Sequence, residues 1–302
     1  MTTAPTPPAQ AAPLAAGIRA MGNVIDVPAS RALYAPLAAD APREGVMRQS
    51  DVRYGPDERH LLDVYRPTTT GDTPPPILVF FHGGGFLRGD RRERANAGWA
   101  FADQGAITVV PSYRLAPAHG WPAGAQDVAA VHAWVREHAS ELGGDPRRIF
   151  LCGESAGAAH VAASTLVRRF QAPVDIAPAG VLLISGVYDA RLEFLARAQF
   201  GTPTPDPRND AYFGADPARL AERSTIALVD AAPVPLLITY AELDPPQMQV
   251  QAGALFARLV TRHGFAPELA VIANHGHLSQ VFALNTADTV LRDRVLDFIR
   301  RH

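Results

Sequence analysis

The first regular pattern along the chain begins near residue 46. MRQSDVRYG and HLLDVYRP alternate polar and apolar positions on either side of a Gly-Pro-Asp turn signal, which predicts an antiparallel pair of strands. The pattern then changes to short, nearly continuous apolar runs: Ile77 to Phe81, Ile107 to Val110, Ile149 to Cys152, Val181 to Ser185, Leu236 to Tyr240 and Leu269 to Ile272. Runs of this length without alternation are expected of strands buried on both faces. Most of them are separated by stretches with a helical period. Val128, Val131, Trp134, Val135, His138 and Leu142 form one stripe, stopped by Gly143-Gly144; another runs from about Gln247 to Gly264 and a last from about Asp288 to Arg301. Strand and helix in alternation predict an α/β fold: a mostly parallel central sheet with right-handed crossovers placing helices on both faces.

Two segments stand apart from this alternation. Residues 1–16 are rich in Ala, Pro and Thr, a composition that buries too little to order itself, and are expected to form a flexible tail on which nothing catalytic depends. From about Ala190 to Val229 there is no strand-like run, and scattered aromatics and prolines suggest an insertion over the sheet. Residues 17–302 are read as a single domain with small cap elements from about 17–45 and 190–229. No internal repeat is present.

The chemistry concentrates at strand ends. Gly153-Glu154-Ser155-Ala156-Gly157 lies between the apolar run IFLC and the small-residue stretch AGAAHVAAS, the strand, sharp turn and helix context that a nucleophile elbow demands. Glycines on both sides of Ser155 relieve the crowding of such a turn. Upstream, His82-Gly83-Gly84-Gly85-Phe86 follows ILVFF, where a loop leaving a central strand can aim backbone N–H groups at a reacting carbonyl. With the N–H of Ala156, N–H groups of this loop make a candidate oxyanion hole, in which each donor contributes about 10²- to 10³-fold in rate. A glycine triplet also suits a flexible turn or a phosphate loop, but no lysine or GxGxxG spacing accompanies this one. Downstream, the run ending at Tyr240 leads into AELDPP and that ending at Ile272 leads into ANHGH, placing Asp244 and His277 where the acid and base of such an enzyme fall. Asp244 before two prolines also suits a helix N-cap, and His275-x-His277 is half of a metal site, though no acidic or cysteine cluster completes it.

Composition narrows the partners. Hydrophobic residues make up 47% and charged residues 19% of the 302 positions, and the formal net charge is −2 with both signs interspersed. No basic face for nucleic acid and no polybasic run for anionic lipid stands out, so a small-molecule ligand is favoured; the oligomeric state is not legible, and a homodimer is compatible with the sequence. The one cysteine, Cys152, excludes an intramolecular disulfide and reads as a small buried apolar residue. No apolar run reaches the ~18 residues of a membrane span, and the start lacks the charged and apolar regions of a signal peptide, which makes a cytoplasmic location the default expectation.

Taken together, HGGGF, YRLAP at Tyr113 to Pro117, the downstream Asp127, GESAG, ELDP and the late histidine resemble the hormone-sensitive-lipase-like carboxylesterases over about residues 50 to 301. The resemblance implies the α/β-hydrolase fold, a structural role for His82 in the oxyanion loop, Gly84 and Gly85 as its donors, and Asp244 rather than Glu242 as the acid. SGVYD at Ser185 to Asp189 and the ending HLSQVFALNT are similar to kynurenine formamidase-like and feruloyl-esterase-like relatives. Ala118, where a glutamate commonly follows YRLAP, and Leu278-Ser279 after His277 depart from the lipase-like pattern and bear on substrate class. The expected reaction is hydrolysis of short- to medium-chain or aryl carboxylic esters, with an arylformamide as the alternative substrate and a non-catalytic ligand-binding homologue as a more remote one. Ser155 would be the nucleophile, His277 the base and Asp244 its support, with no metal or cofactor required. Activity is expected to rise through the histidine pKa, roughly 6.5 before perturbation. Phe86 and Leu278 are expected at the substrate. Phe194, Phe200, Tyr212 and Phe213 are read either as further pocket wall or as ordinary core, and His119 and Trp121 as loop residues facing the site or the surface.

Overall fold

Segments too continuously apolar to present a solvent face become the middle of a sheet. The computed structural model describes residues 11–192, 207–231 and 234–302. The strands are β1 (Val46–Arg53), β2 (Leu61–Pro67), β3 (Ile77–Phe81), β4 (Ile107–Pro111), β5 (Ile149–Glu154), β6 (Gly180–Ile184), β7 (Leu236–Leu243) and β8 (Glu268–Gly276). Among the described residues they form one eight-stranded sheet in the order β1-β2-β4-β3-β5-β6-β7-β8. β1, β2 and β4 pair antiparallel, and every pairing from β4 through β3 to β8 is parallel. Every residue of β3, β4, β5 and β6 is buried. Alternation persists beneath that burial: Val79, Leu151, Leu183 and Ile238 join one core, Phe80, Cys152, Leu182 and Leu237 the other.

Helices close both faces. α1 (Ala11–Met21), α2 (Val27–Ala39), α3 (Ala95–Asp103), α4 (Ala123–His138), α5 (Ala156–Leu166), α6 (Pro207–Phe213), α7 (Pro246–His263) and α8 (Val290–Arg301) are the longer ones described. Val128 and Val131 of α4, Val161 of α5 and Leu255 of α7 pack on the first core. Phe101 of α3 and Val295 and Phe298 of α8 pack on the second. α7 stops where its stripe predicts, with Gly264 left-handed at φ 60° and its N–H bonded to the carbonyls of Leu259 and Val260. Among the described residues no helix is long and apolar enough to cross a membrane.

Two expectations change. β8 is the sheet's edge rather than a strand buried on both faces, so Leu269 and Val271 are 40% and 49% exposed while Ile272 lies inside. The tail expected over residues 1–16 is cut short by α1, which starts at Ala11; residues 1–10 lie outside the described residues. Composition alone misjudged this stretch because Leu14 and Ile18, one helical turn apart, share a face and are buried with Tyr34 of α2 and Ala283. α2 is capped by Asp26, whose side chain accepts from the Ala29 N–H at 2.9 Å. Of the second cap segment, residues 193–206 lie outside the described residues; α6 and a helical turn at Thr225–Leu228 follow.

The N-terminal pair is fastened to the far end of the chain. Tyr34 Oη donates to Asp288 Oδ2 at 2.9 Å, and His275 Nε2 lies 3.4 Å from Asp288 Oδ1. Burial raises the Asp288 carboxyl, but the contacts with His275 and Tyr34 more than offset it, so it is held below its ordinary range. A depressed carboxylate contributes stability above its unfolded pKa and loses it as pH falls through the folded one. Replacing Asp288 by alanine also strands a buried phenol, at a cost of roughly 1–3 kcal/mol. Urea melts of the Asp288→Ala variant at neutral pH should show that loss, and the gap from the parent should narrow below about pH 4.

Candidate active site

β5 ends at Glu154 and α5 begins at Ala156, leaving Ser155 alone in the turn at φ 53° and ψ −116°. A serine holds that conformation only where its surroundings leave no alternative. Here they are backbone: a Cβ on Gly153 would lie 2.5 Å from the Gly157 carbonyl carbon, and one on Gly157 would lie 2.3 Å from the Phe81 carbonyl oxygen. Only glycine fits either position. Ser155 N–H donates to the Ile184 carbonyl at 2.8 Å, which fixes the turn to the neighbouring strand β6.

The loops after β7 and β8 bring their side chains to the same edge. His277 Nε2 is 3.0 Å from Ser155 Oγ, and His277 Nδ1 is 2.7 Å from Asp244 Oδ1. A carboxylate only accepts, so Nδ1 carries the proton and Nε2 presents its lone pair to the hydroxyl. Asp244 is fully buried, and its second oxygen accepts from Ser185 Oγ at 2.5 Å and from the Ala241 N–H at 2.7 Å. Gln280 Nε2 donates to Ser185 Oγ at 2.8 Å and to the His277 carbonyl at 3.2 Å, bracing acid and imidazole together. Sequence reasoning did not give Ser185 and Gln280 this part; the available signal was the place of Ser185 at the C-terminal end of β6, beside β5.

The rival residues are engaged elsewhere. Glu242 is 39% exposed and accepts from the Asn274 N–H at 2.7 Å and from Arg19 at 3.3 Å, tying β8 to α1. His275 meets Ser279 Oγ at 3.1 Å and Asp288, so it does not share a ligand set with His277. No group of three or more His, Cys, Asp or Glu side chains suited to a metal ion occurs among the described residues.

The glycine loop is anchored from below by the variable residue of the serine motif. Glu154 Oε1 accepts from the Gly83 N–H at 2.7 Å and from Arg94 Nε at 2.5 Å, with both Glu154 and Arg94 buried. Burial raises the Glu154 carboxyl, but the Arg94 charge and the Gly83 bond outweigh it and keep it below the usual range. The loop's other wall is His82, stacked on Tyr113 with ring centroids 4.3 Å apart, while Tyr113 Oη donates to the His82 carbonyl at 2.6 Å. Burial lowers the His82 pKa to about 4, so the ring is neutral at pH 7. Gly84 and Gly85 follow at φ 138° and 59°; a Cβ on Gly84 would fall 1.9 Å from the Arg88 carbonyl oxygen. Their N–H groups make no backbone hydrogen bond among the described residues, and the Ala156 N–H, in the first turn of α5, has no acceptor within its helix. YRLAP lies behind this wall, where Asp127 of α4 accepts from the Arg114 N–H at 2.7 Å.

Ser155, His277, Gly84, Gly85 and Ala156 all border one pocket of about 350 Å³, and Phe86 and Leu278 also line it. Tyr212 and Phe213 are core rather than wall: Tyr212 stacks on Phe86 at 4.5 Å with rings 3° from parallel, and Phe213 meets Phe86 edge-on at 5.2 Å. Trp121 joins that cluster, His119 lies half-exposed 3.8 Å from Asp57, and Phe194 and Phe200 fall outside the described residues. The walls not legible beforehand come from Ile25, Val27 and Arg31 near the N-terminus and from Gln247 and Met248 of α7.

A sequence profile described as alpha/beta hydrolase fold matches residues 78–280, more than half of the chain. The chain belongs to the α/β-hydrolase fold family. This α/β-hydrolase is 46% identical over 96 residues to the carboxylesterase NlhH of Mycobacterium tuberculosis, covering 31% of its own length and 30% of the relative's. It is 30% identical over 258 residues to the carboxylic ester hydrolase LipN of the same species, covering 79% and 66%. The matched stretch therefore spans under a third of the first curated relatives. Among solved structures, a bacterial heroin esterase superposes with a TM-score of 0.73 at 26% identity, over 96% of both chains. An esterase of the bacterial hormone-sensitive lipase family shares the fold at a TM-score of 0.69 and 23% identity, over 100% of this chain and 99% of that one.

The pairing of Glu154 with Arg94 can be tested on stability. Removing one partner of a buried ion pair costs about 3–5 kcal/mol because the other charge is stranded. Glu154→Gln should therefore lower the urea midpoint by an amount equivalent to about 3 kcal/mol with an unchanged m-value, and an unaltered midpoint would show that the pair does not anchor the loop.

Proposed function

We propose that this α/β-hydrolase is a serine carboxylesterase acting on small-molecule esters with short- to medium-chain or aryl groups. The observation that carries the reading is the continuous series Ser155 Oγ, His277 Nε2, His277 Nδ1 and Asp244 Oδ1, at 3.0 and 2.7 Å, opening on a pocket bordered by the glycine loop. Ser155 Oγ attacks the acyl carbon while His277 Nε2 takes its proton. The carbonyl oxygen gathers negative charge opposite the Gly84, Gly85 and Ala156 N–H groups, and Asp244 stabilises the imidazolium and keeps its orientation. As the tetrahedral intermediate collapses, His277 returns the proton to the departing alkoxide. The alcohol leaves, and Ser155 remains acylated. Water, deprotonated by His277, then attacks the acyl carbon and frees the acid and the serine. Phe86 and Leu278 contact the substrate, and a pocket of about 350 Å³ is at the small end of ligand sites, in keeping with modest acyl and alcohol arms.

The pH dependence tests His277 as the base, because two other histidines near the serine are held neutral by burial. Burial lowers His82 to about 4 and His160 to about 3, so neither changes charge above about pH 5. The rise of kcat/KM with pH should follow a single deprotonation, that of His277; a profile flat from about pH 5 to about pH 8 would remove it as the base.

A panel of p-nitrophenyl esters of increasing acyl length, run beside an N-formyl aromatic amide, tests the reaction class. Esters should turn over faster than the formamide, and a fluorophosphonate should label Ser155. Ser155→Ala should lose about 10⁴- to 10⁶-fold in kcat, and Asp244→Asn about 10³- to 10⁴-fold, without loss of fold. Full activity in the alanine variant would overturn the assignment.

A further inference from the structure

The wall of the pocket has a charge that the chain as a whole does not. The formal net charge of the protein is −2, yet the pocket beside Ser155 is bordered by Arg31, Arg88, Arg94 and Arg208 against Glu93 and Glu154, a formal excess of two positive charges. Glu154 and Arg94 neutralise one another as a buried pair. The other charged residues on the described wall are Glu93, Arg31, Arg88 and Arg208. Arg208 runs its aliphatic stem over the oxyanion loop, where a Cβ on Gly85 would come 2.8 Å from its Cδ. Arg31 on α2 and Arg88 after the glycine loop are exposed, and their side chains have no hydrogen bond or ion pair among the described residues.

The positive character continues beyond the pocket. A second cavity of about 250 Å³, between α2 and α3, shares Arg31, Glu93 and Phe282 with the first and adds Arg43 and Arg92. Arg92 is partly engaged by Asp51 at 3.3 Å, while Arg43 has no ion pair among the described residues. An ester seated at Ser155 with one arm directed past Arg31 thus meets guanidinium groups along its path, with Glu93 the one acidic side chain shared by both cavities among the described residues. Guanidinium forks match carboxylate and phosphate oxygens, and a cleft of one sign within low-dielectric walls raises the local concentration of oppositely charged substrate.

Resting on the carboxylesterase reading, we infer that the preferred substrates are esters bearing an anionic group, a carboxylate or a phosphate, on the arm distal to the scissile bond, held by Arg31 and Arg88. The chemistry at Ser155 is unchanged; the charge is met in binding. The preference should therefore appear mainly in KM and weaken with ionic strength.

Matched esters test this. On the acyl side, the monomethyl ester of adipic acid is compared with the methyl ester of its monoamide; on the alcohol side, the acetate of 4-hydroxybutyrate is compared with that of 4-hydroxybutyramide. The acetate of choline serves as a cationic counterpart and an acetylated glycerol phosphate as the phosphate form, all followed by proton release. At about 10 mM salt the anionic member of at least one pair should exceed its amide by on the order of tenfold in kcat/KM, and the choline ester should rank last. That ratio should fall toward one in the Arg31→Gln, Arg88→Gln double variant and at high salt, and Arg31→Glu should move the ranking toward the choline ester. Equal or better turnover of the amides in both pairs, or a ratio untouched by the double variant, would overturn the inference while leaving the esterase reading intact. Failure to cleave any ester would sink that reading and this one with it.

Discussion

Gly157 lies so close to the end of β3 that a methyl group there would overlap the carbonyl oxygens of Phe81 and His82, at 2.3 and 2.6 Å. That contact is the constraint on which the site depends. It joins the turn carrying Ser155 to the strand from which the glycine loop departs, so the hydroxyl and the free N–H groups are positioned by one backbone contact rather than by separate elements. Because both partners are main chain, nothing there can relax by a rotamer change, and the left-handed conformation of Ser155 is held by close packing.

Two buried carboxylates then divide the electrostatic work. Asp244 faces an imidazole, a hydroxyl and a backbone N–H, and so fixes the orientation of the His277 ring. Glu154 faces a guanidinium and the Gly83 N–H, and so holds a loop in place. Each is surrounded by donors, the condition under which a buried anion is tolerated. The difference between them lies in the donor: an imidazole can gain or lose a proton within the physiological range, whereas a guanidinium remains charged.

The N-terminal helices belong to the same construction. α1 packs Leu14 and Ile18 beside Tyr34 and Ala283, and Arg19 reaches Glu242 near the end of β7 and Asn274 near the end of β8. Asp244 and His277 follow directly after those two strands. The N-terminal helices are thus packed against the segments that carry Asp244 and His277, and Ile25, Val27 and Arg31, in the stretch read from the sequence as a cap, supply a wall of the pocket.

The sequence by itself determined the strands and the serine turn, because these follow from local rules: apolar runs of strand length, and glycines flanking a serine between a strand and a helix. The same rules located the segments that carry Asp244 and His277, since both directly follow an apolar run. What local rules do not contain is which side of a loop faces inward. Glu242 and Asp244 are two residues apart in one strand-end segment, and only the packing of α1 and α7 around it buries one fully and leaves the other 39% exposed. Leu269 and Val271 read as core because the sequence does not say which strand ends the sheet. The parts played by Ser185, Gln280 and Arg94 were invisible for the same reason: each acts across 59 to 95 positions of chain, through bonds that exist only once the sheet has been assembled.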